Sequence, residues 1–136
     1  MSRFCWPVRV YYEDTDSGGV VYYANYLKFM ERARTEYLRA AGFEQDQLRQ
    51  DPGILFTVHS VQADFKRPAT FNDALEVSAE ISEERRASLT FLQEIRRAGE
   101  NELLCRGLVR IACVDAASFK AVAIPDFIRS ELMSVC

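Results

Sequence analysis

The stretch Tyr12-Glu13-Asp14-Thr15-Asp16-Ser17-Gly18-Gly19-Val20-Val21-Tyr22-Tyr23-Ala24-Asn25-Tyr26 organises the chain. It is an acidic, turn-rich loop that runs directly into one long helical pattern. Asp14 and Asp16 stand two residues apart and are followed by two glycines. Short acidic side chains and glycine suit a tight, irregular backbone. The amides that open a helix find no acceptor within it and carry the positive end of its dipole. One short segment thus supplies a carboxylate and a set of free amides. Acyl transfer needs that pair: a base or nucleophile, and donors for a developing oxyanion.

Downstream, residues 25–41 carry Tyr26, Phe29, Met30, Ala33, Tyr37, Ala40 and Ala41 on one stripe at about 100° per residue, which reads as a core face. Lys28, Glu31, Arg32, Thr35 and Arg39 fall opposite. Asn25 suits an N-cap and Gly42 the stop after the helix. Glu36, on the flank, is expected to pair with Arg32 one turn back. Upstream, residues 3–12 read as a strand with Phe4, Trp6, Val8, Val10 and Tyr12 on one side, and Pro7 argues for an edge. Residues 43–53 are polar and end in the turn Asp51-Pro52-Gly53. Strands follow at 54–66, 74–82, 87–97 and 102–115, the last apolar enough to be central. A short strand at 119–123 precedes Pro125, which opens a final helix to about Met133. Short turns make antiparallel neighbours. The result is an α+β domain spanning 1–136, one long helix against one antiparallel sheet. A single helix cannot cover five or six strands, so another copy is expected to bury a sheet face or edge.

The chain has 136 residues, 49% of them hydrophobic, and a net charge of −3. That is one domain with a real core. Its acidity excludes the basic field of a nucleic-acid binder, but is compatible with a local basic pocket for a phosphorylated ligand. Cys5, Cys105, Cys113 and Cys136 form no Cys-x-x-Cys pair; Cys105 and Cys113 read as small core residues in a reduced, cytoplasmic protein. The N-terminus lacks a signal-peptide core, and no apolar run approaches the roughly 20 residues that span a membrane. His59 is the single histidine. It reads as a hydrogen-bonded structural residue in a strand, and one histidine leaves no credible zinc site. No Gly-x-Ser-x-Gly elbow supports a serine triad.

The run Tyr11-Tyr12-Glu13-Asp14-Thr15-Asp16, with Gly18-Gly19-Val20-Val21-Tyr22, Asn25-Tyr26 and Phe29-Met30-Glu31-Arg32-Ala33-Arg34-Thr35-Glu36, resembles the acyl-CoA thioesterases of the hotdog fold. It is most similar to the tol-pal-associated YbgC branch of the 4-hydroxybenzoyl-CoA thioesterase-like family. The resemblance extends over nearly the whole chain, including Phe65-x-Arg67-Pro68-Ala69. It implies a long helix wrapped by an antiparallel sheet. It also implies dimers with a continuous sheet, often paired further into a homotetramer, with active sites at the subunit interface.

The family's essential carboxylate corresponds to Asp16. Seven residues on, many YbgC-type members have His and the hydroxybenzoyl type has Tyr; this chain has Tyr23. That departure weakens any histidine role but leaves a backbone amide in place. Tyr12 matches a site tyrosine of the YbgC type. The resemblance therefore implies Asp16 as nucleophile or general base, the Tyr23 amide as oxyanion donor, and Asp14 as a structural residue. Tyr12, Gly19, Val20 and Tyr22 are expected to line the substrate path, with Gly18 and Gly19 allowing positive φ and close backbone approach. Among Lys66, Arg67, Arg85 and Arg86, Arg67 leads as a partner for coenzyme A phosphates. The implied activity is hydrolysis of a short-chain or aromatic acyl-CoA to free acid and CoA. No metal or redox cofactor is called for, because CoA arrives as part of the substrate. The competing class is a non-catalytic acyl-thioester-binding or scaffolding protein of the cell envelope or lipid-synthesis machinery. A hotdog dehydratase would need a histidine near the helix, and none stands there. Still open are the acyl group, CoA against carrier-protein thioesters, dimer against tetramer, nucleophilic against general-base chemistry, and association with the cytoplasmic face of the inner membrane.

Overall fold

A five-stranded antiparallel sheet carries the chain in the computed structural model, which describes residues 3–135. The strands are β1 (Phe4–Arg9), β2 (Ile54–Phe65), β3 (Ala74–Glu84), β4 (Ser88–Arg97) and β5 (Leu103–Asp115), in the order β1-β3-β4-β5-β2. The helices are α1 (Asn25–Ala40), α2 (Gln45–Gln50) and α3 (Asp126–Met133). β1 and β2 are therefore the two edges, and Pro7 lies on an edge as its missing amide requires.

α1 lies against one sheet face. Phe29, Met30 and Ala33 are fully buried with Leu75, Val77, Phe91, Ile95 and Val109 from the strands. Gly107 on β5 permits this approach: a Cβ there would stand 2.8 Å from the Sδ and Cε of Met30. One polar tie crosses the same interface. Arg34, itself buried, donates to Gln93 Oε1 at 3.0 Å, and Gln93 Nε2 donates to the Met30 carbonyl at 2.9 Å. Burial pulls the Arg34 guanidinium below its ordinary value. The Tyr37 hydroxyl donates to the Leu132 carbonyl at 2.7 Å and ties α3 to α1.

Several local expectations change. β1 ends at Arg9 and Tyr12 opens a 3-10 turn, Tyr12–Asp14, because Val10 exchanges backbone bonds with Asp73 and Asn72 and leaves the ladder. Asn25 is the first helical residue, not the N-cap; Ala24 holds that position with helical φ and ψ and no side chain caps it. Glu36 pairs with Arg39 at 2.6 Å, whereas the Arg32 guanidinium lies 5.9 Å from the Phe29 ring centre. The polar 43–53 segment contains α2, pinned by its single buried residue, Leu48. No strand forms at 119–123: Phe119 takes a φ of +59° and only an isolated bridge joins Val114 to Ala121. Gly42, with a φ of +96°, follows α1 as expected.

Cys105 and Cys113 are buried, and burial pushes their thiols up to about 12 and about 11, so both stay protonated in the core. Cys136 lies outside the described residues. Among the described residues no helix is long and apolar enough to cross a membrane.

Candidate active site

The acidic loop folds back on itself through its own backbone. Thr15 bridges Val21, the Asp16 amide donates to the Val20 carbonyl at 2.9 Å, and the Gly19 amide donates to the Asp16 carbonyl at 3.0 Å. Gly19 has a φ of +81°, which a side chain would strain. Gly18 serves by closeness instead: a Cβ there would lie 3.2 Å from Asp16 Oδ1, the atom that accepts the Gly18 amide at 2.8 Å. This Asx turn is the structural use that any loop aspartate has open to it. Here it fixes one carboxylate oxygen while Asp16 stays exposed, and Oδ2 receives no protein donor among the described residues.

Asp14 is the scaffold of the loop. Its Oδ2 accepts the Tyr11 amide at 2.8 Å, and its carbonyl accepts both the Tyr22 amide and Asn25 Nδ2, each at 2.9 Å. Tyr22 to Asn25 then form a turn closed by the Asn25 amide on the Tyr22 carbonyl at 2.8 Å. α1 begins there without a side-chain cap. Among the described residues the amides of Tyr23 and Ala24 donate to no acceptor. Two unpartnered donors therefore stand at the positive end of a 16-residue helix, on the turn that directly follows the Asp16 loop.

Segment 65–73 backs this arrangement. The Ala69 carbonyl accepts the Val21 amide at 2.8 Å, and the Ala69 amide donates to the Tyr26 hydroxyl at 2.9 Å. Burial raises the Tyr26 phenol, while the Ala69 amide pulls it the other way, so the hydroxyl is neutral here. Arg97 holds the segment from behind, donating to the Pro68 carbonyl at 2.8 Å and to Asp73 Oδ2 at 3.1 Å. Phe65 at the end of β2 meets the Tyr23 ring edge-to-face at 5.8 Å and the Tyr26 ring at 5.6 Å, and Tyr22 lies 4.9 Å from Tyr23. These rings form an aromatic wall beside the free amides.

The expected substrate residues do not all meet. Gly19, Val20, Tyr22 and Tyr23 share the loop, but Tyr12 is exposed and turns to Phe71 at 5.9 Å; among the described residues no ring contact joins it to the Tyr22–Tyr23–Phe65 wall. Arg67 stands at the same end of the sheet, exposed, with its Nε 3.4 Å from Glu102. Arg85 and Arg86 lie in the β3–β4 connection at the opposite end, where their carbonyls receive Arg129. His59 is the extra residue in the β2 bulge, exposed and with no side-chain hydrogen bond among the described residues, so the hydrogen-bonded role expected of it is not the one it has. Phe65, Tyr26 and Arg97 were not legible as parts of this site, because their partners are far away in sequence.

Residues 10–132 match the profile of the thioesterase-like superfamily. The chain belongs to that superfamily. Within it, this thioesterase-like chain is 47% identical over 128 residues to the acyl-CoA thioester hydrolase YbgC of Escherichia coli O157:H7, covering 94% of each. It is 44% identical over 127 residues to the acyl-CoA thioesterase YbgC of Haemophilus influenzae, covering 93% of this chain and 92% of that one. These identities place it in the YbgC branch. A probable thioesterase from Bartonella henselae superposes with a TM-score of 0.85 at 33% identity, covering 91% of this chain and all of the other. A 1,4-dihydroxy-2-naphthoyl-CoA thioesterase from Synechocystis superposes at 0.89 with 22% identity, over 98% of each chain, a likeness of fold alone. The sheet and long helix of this superfamily member are the hotdog fold.

Proposed function

We propose that the protein hydrolyses acyl-CoA thioesters to free acid and CoA at the loop that joins β1 to α1. The observation that carries this reading is the pairing of an exposed, turn-held Asp16 carboxylate with the free amides of Tyr23 and Ala24 on one hydrogen-bonded segment. The thioester carbonyl lies against these amides, which gain strength as charge builds on its oxygen. Asp16 either adds to the carbonyl carbon, expelling CoA as the thiolate and leaving an acyl–Asp16 anhydride that water then hydrolyses to the free acid, or takes a proton from a water that itself attacks the carbonyl and expels the thiolate. The backbone amide at position 23 is present whichever side chain stands there, so a tyrosine at this position leaves the oxyanion donor in place. The aromatic wall of Tyr22, Tyr23 and Phe65 receives the acyl group or pantetheine arm, with Gly19 and Val20 passing close to it. Arg67, and Lys66 beside it, face the CoA phosphates from the same end of the sheet. CoA enters as substrate, and no further cofactor is needed.

The protein works as a homo-oligomer in the cytoplasm, and β2 supports this assembly. It is a 12-residue edge strand, and its Val58, Val61 and Phe65 face the helix side of the sheet, opposite the buried Ile111, Val109 and Cys105, yet remain exposed. Between α1 and β2 runs a groove of about 300 Å3 lined by Leu27, Val58, Val61 and Val109, with Glu31 and Arg34 at its side. β1, in contrast, is short and carries Pro7 and Arg9, features that block edge pairing.

The test is thiol release from a panel of short aliphatic, long-chain and hydroxybenzoyl CoA thioesters by the wild type and Asp16→Asn. Turnover that falls about 10²- to 10⁴-fold in a folded variant supports the reading. Equal rates remove Asp16 from the chemistry. Binding of the thioesters without hydrolysis by the wild type makes the protein an acyl-thioester-binding module instead.

A further inference from the structure

The Asn25 side chain has an unexpected use. A residue of its type at the start of a helix usually caps the helix's own amides. Here it sits inside the first turn, 9% exposed, and its Nδ2 reaches back eleven residues to the Asp14 carbonyl at 2.9 Å. The same carbonyl accepts the Tyr22 amide, and the Tyr22 carbonyl accepts the Asn25 amide at 2.8 Å. Three hydrogen bonds thus close a small loop of structure among Asp14, Tyr22 and Asn25. On one side of it the chain leaves toward Asp16; on the other it enters the Tyr23 and Ala24 amides.

We infer that Asn25 is a positioning residue, whose side-chain amide sets the distance between the Asp16 carboxylate and the free amides at the start of α1. The inference rests on the acyl-transfer reading above, because it matters for rate only if both groups act on one carbonyl. The carbonyl of Asp14 has two lone pairs, and Asn25 fills the second. Without that donor the Tyr22 amide alone joins the loop to the helix from this side. The loop retains its own bridges, so the Asp16 turn survives as a unit but shifts relative to the helix start. A displacement of about 1 Å between reacting groups is enough to lower turnover on the order of 10²-fold. Substrate affinity, carried by the aromatic wall and the phosphate contacts, changes little.

Asn25→Asp tests this with almost no change of shape. A carboxylate in the first helical turn suits the dipole, so α1 is kept, but an ionised carboxylate cannot donate to the Asp14 carbonyl. The expected result is a melting temperature within a few degrees of wild type. Alongside it, kcat falls about 10- to 100-fold with KM within about threefold, and amide exchange of Tyr22 is faster. Acidification protonates the new carboxyl and restores a donor, so the ratio of variant to wild-type kcat rises toward low pH. A residue that merely stabilised the helix would lower the melting temperature and leave kcat and its pH ratio where they are. Wild-type kcat, or unchanged Tyr22 exchange, in Asn25→Asp overturns the inference. Asn25→Ser, too short to reach the carbonyl, carries the same test if the first variant unfolds. Failure of the acyl-transfer reading shows separately, as unchanged turnover in Asp16→Asn; the exchange rate of Tyr22 judges the clamp whatever the turnover.

Discussion

In the proposed reaction Asp16 and Tyr23 act through different parts of the residue, and substitutions can separate them. The carboxylate of Asp16 is held by its own turn, whereas Tyr23 contributes a backbone amide and, independently, a ring against Phe65. Tyr23 occupies the second position of the turn closed by Asn25 on Tyr22, a position that favours proline, and its amide has no acceptor to lose. Tyr23→Pro is therefore expected to fold while kcat for an acyl-CoA falls about 10²- to 10³-fold, the usual loss for one oxyanion donor. Tyr23→Ala keeps the amide and removes the ring, so it raises KM and leaves most of kcat. Steady-state kinetics on the two variants decides the assignment: equal kcat in both would show that the amide is not a donor. The turn-forming use of Asp14 and Asp16 was readable from their spacing and the glycines that follow, whereas a chemical role for Asp16 is implied only by the family resemblance. The freedom of the Tyr23 amide was not readable, because it depends on which acceptors the folded chain leaves within reach.

Two elements meet at Gly107, where β5 lets α1 settle onto the sheet. Met30 is flexible in principle, but it is fully buried, so it has little room to move away from a new Cβ at 2.8 Å. Gly107→Ala is expected to lose about 1 to 3 kcal/mol in urea unfolding. Pairing it with Met30→Leu recovers part of that loss, because the two sites touch. The outer face of the sheet carries a different device. Glu94, nearly buried, accepts from Arg3 and from Arg96, with Arg106 at 3.9 Å. Burial alone would raise its carboxyl, but the two arginine hydrogen bonds outweigh this and hold it below its ordinary 4.5. A carboxyl depressed in the folded state contributes stability above its unfolded pKa and loses it as pH falls through the folded one. The thermal stability of the wild type should therefore fall from about pH 5 downward, and Glu94→Gln should flatten that part of the profile while unfolding more easily at pH 7. A profile unchanged by the substitution would mean that the cluster adds nothing to acid sensitivity.

For the molecule as a whole, the two sheet edges have opposite characters. Pro7 and Arg9 close β1 to pairing, whereas β2 offers an unpaired ladder and three exposed apolar side chains on the helix side. Burying each such side chain is worth roughly 1.5 to 3 kcal/mol. A double variant, Val58→Glu with Val61→Glu, is expected to elute at the monomer mass in light-scattering chromatography and to lose turnover in parallel, because Phe65 and Tyr23 stand at the end of that edge. A wild type that is already monomeric at micromolar concentration would sink the assembly.

The strand at 74–82, the stripe of α1, the stop at Gly42 and the edge position of Pro7 all follow from local chemistry, and each was readable in the chain. So was the loop that brings Asp16 to the start of a helix, because its whole plan lies within fifteen consecutive residues. α2 and the absence of a strand at 119–123 depend on a single buried Leu48 and on the positive φ of Phe119, which no local pattern announces. The backing of the site by Ala69, Phe65 and Arg97, and the turning of Asn25 from a cap into a tie on Asp14, were decided only by folding. Hydrogen bonds and ring contacts between residues eleven to forty-three apart join groups whose proximity is a product of packing, and packing has no signature in the order of the residues that take part in it.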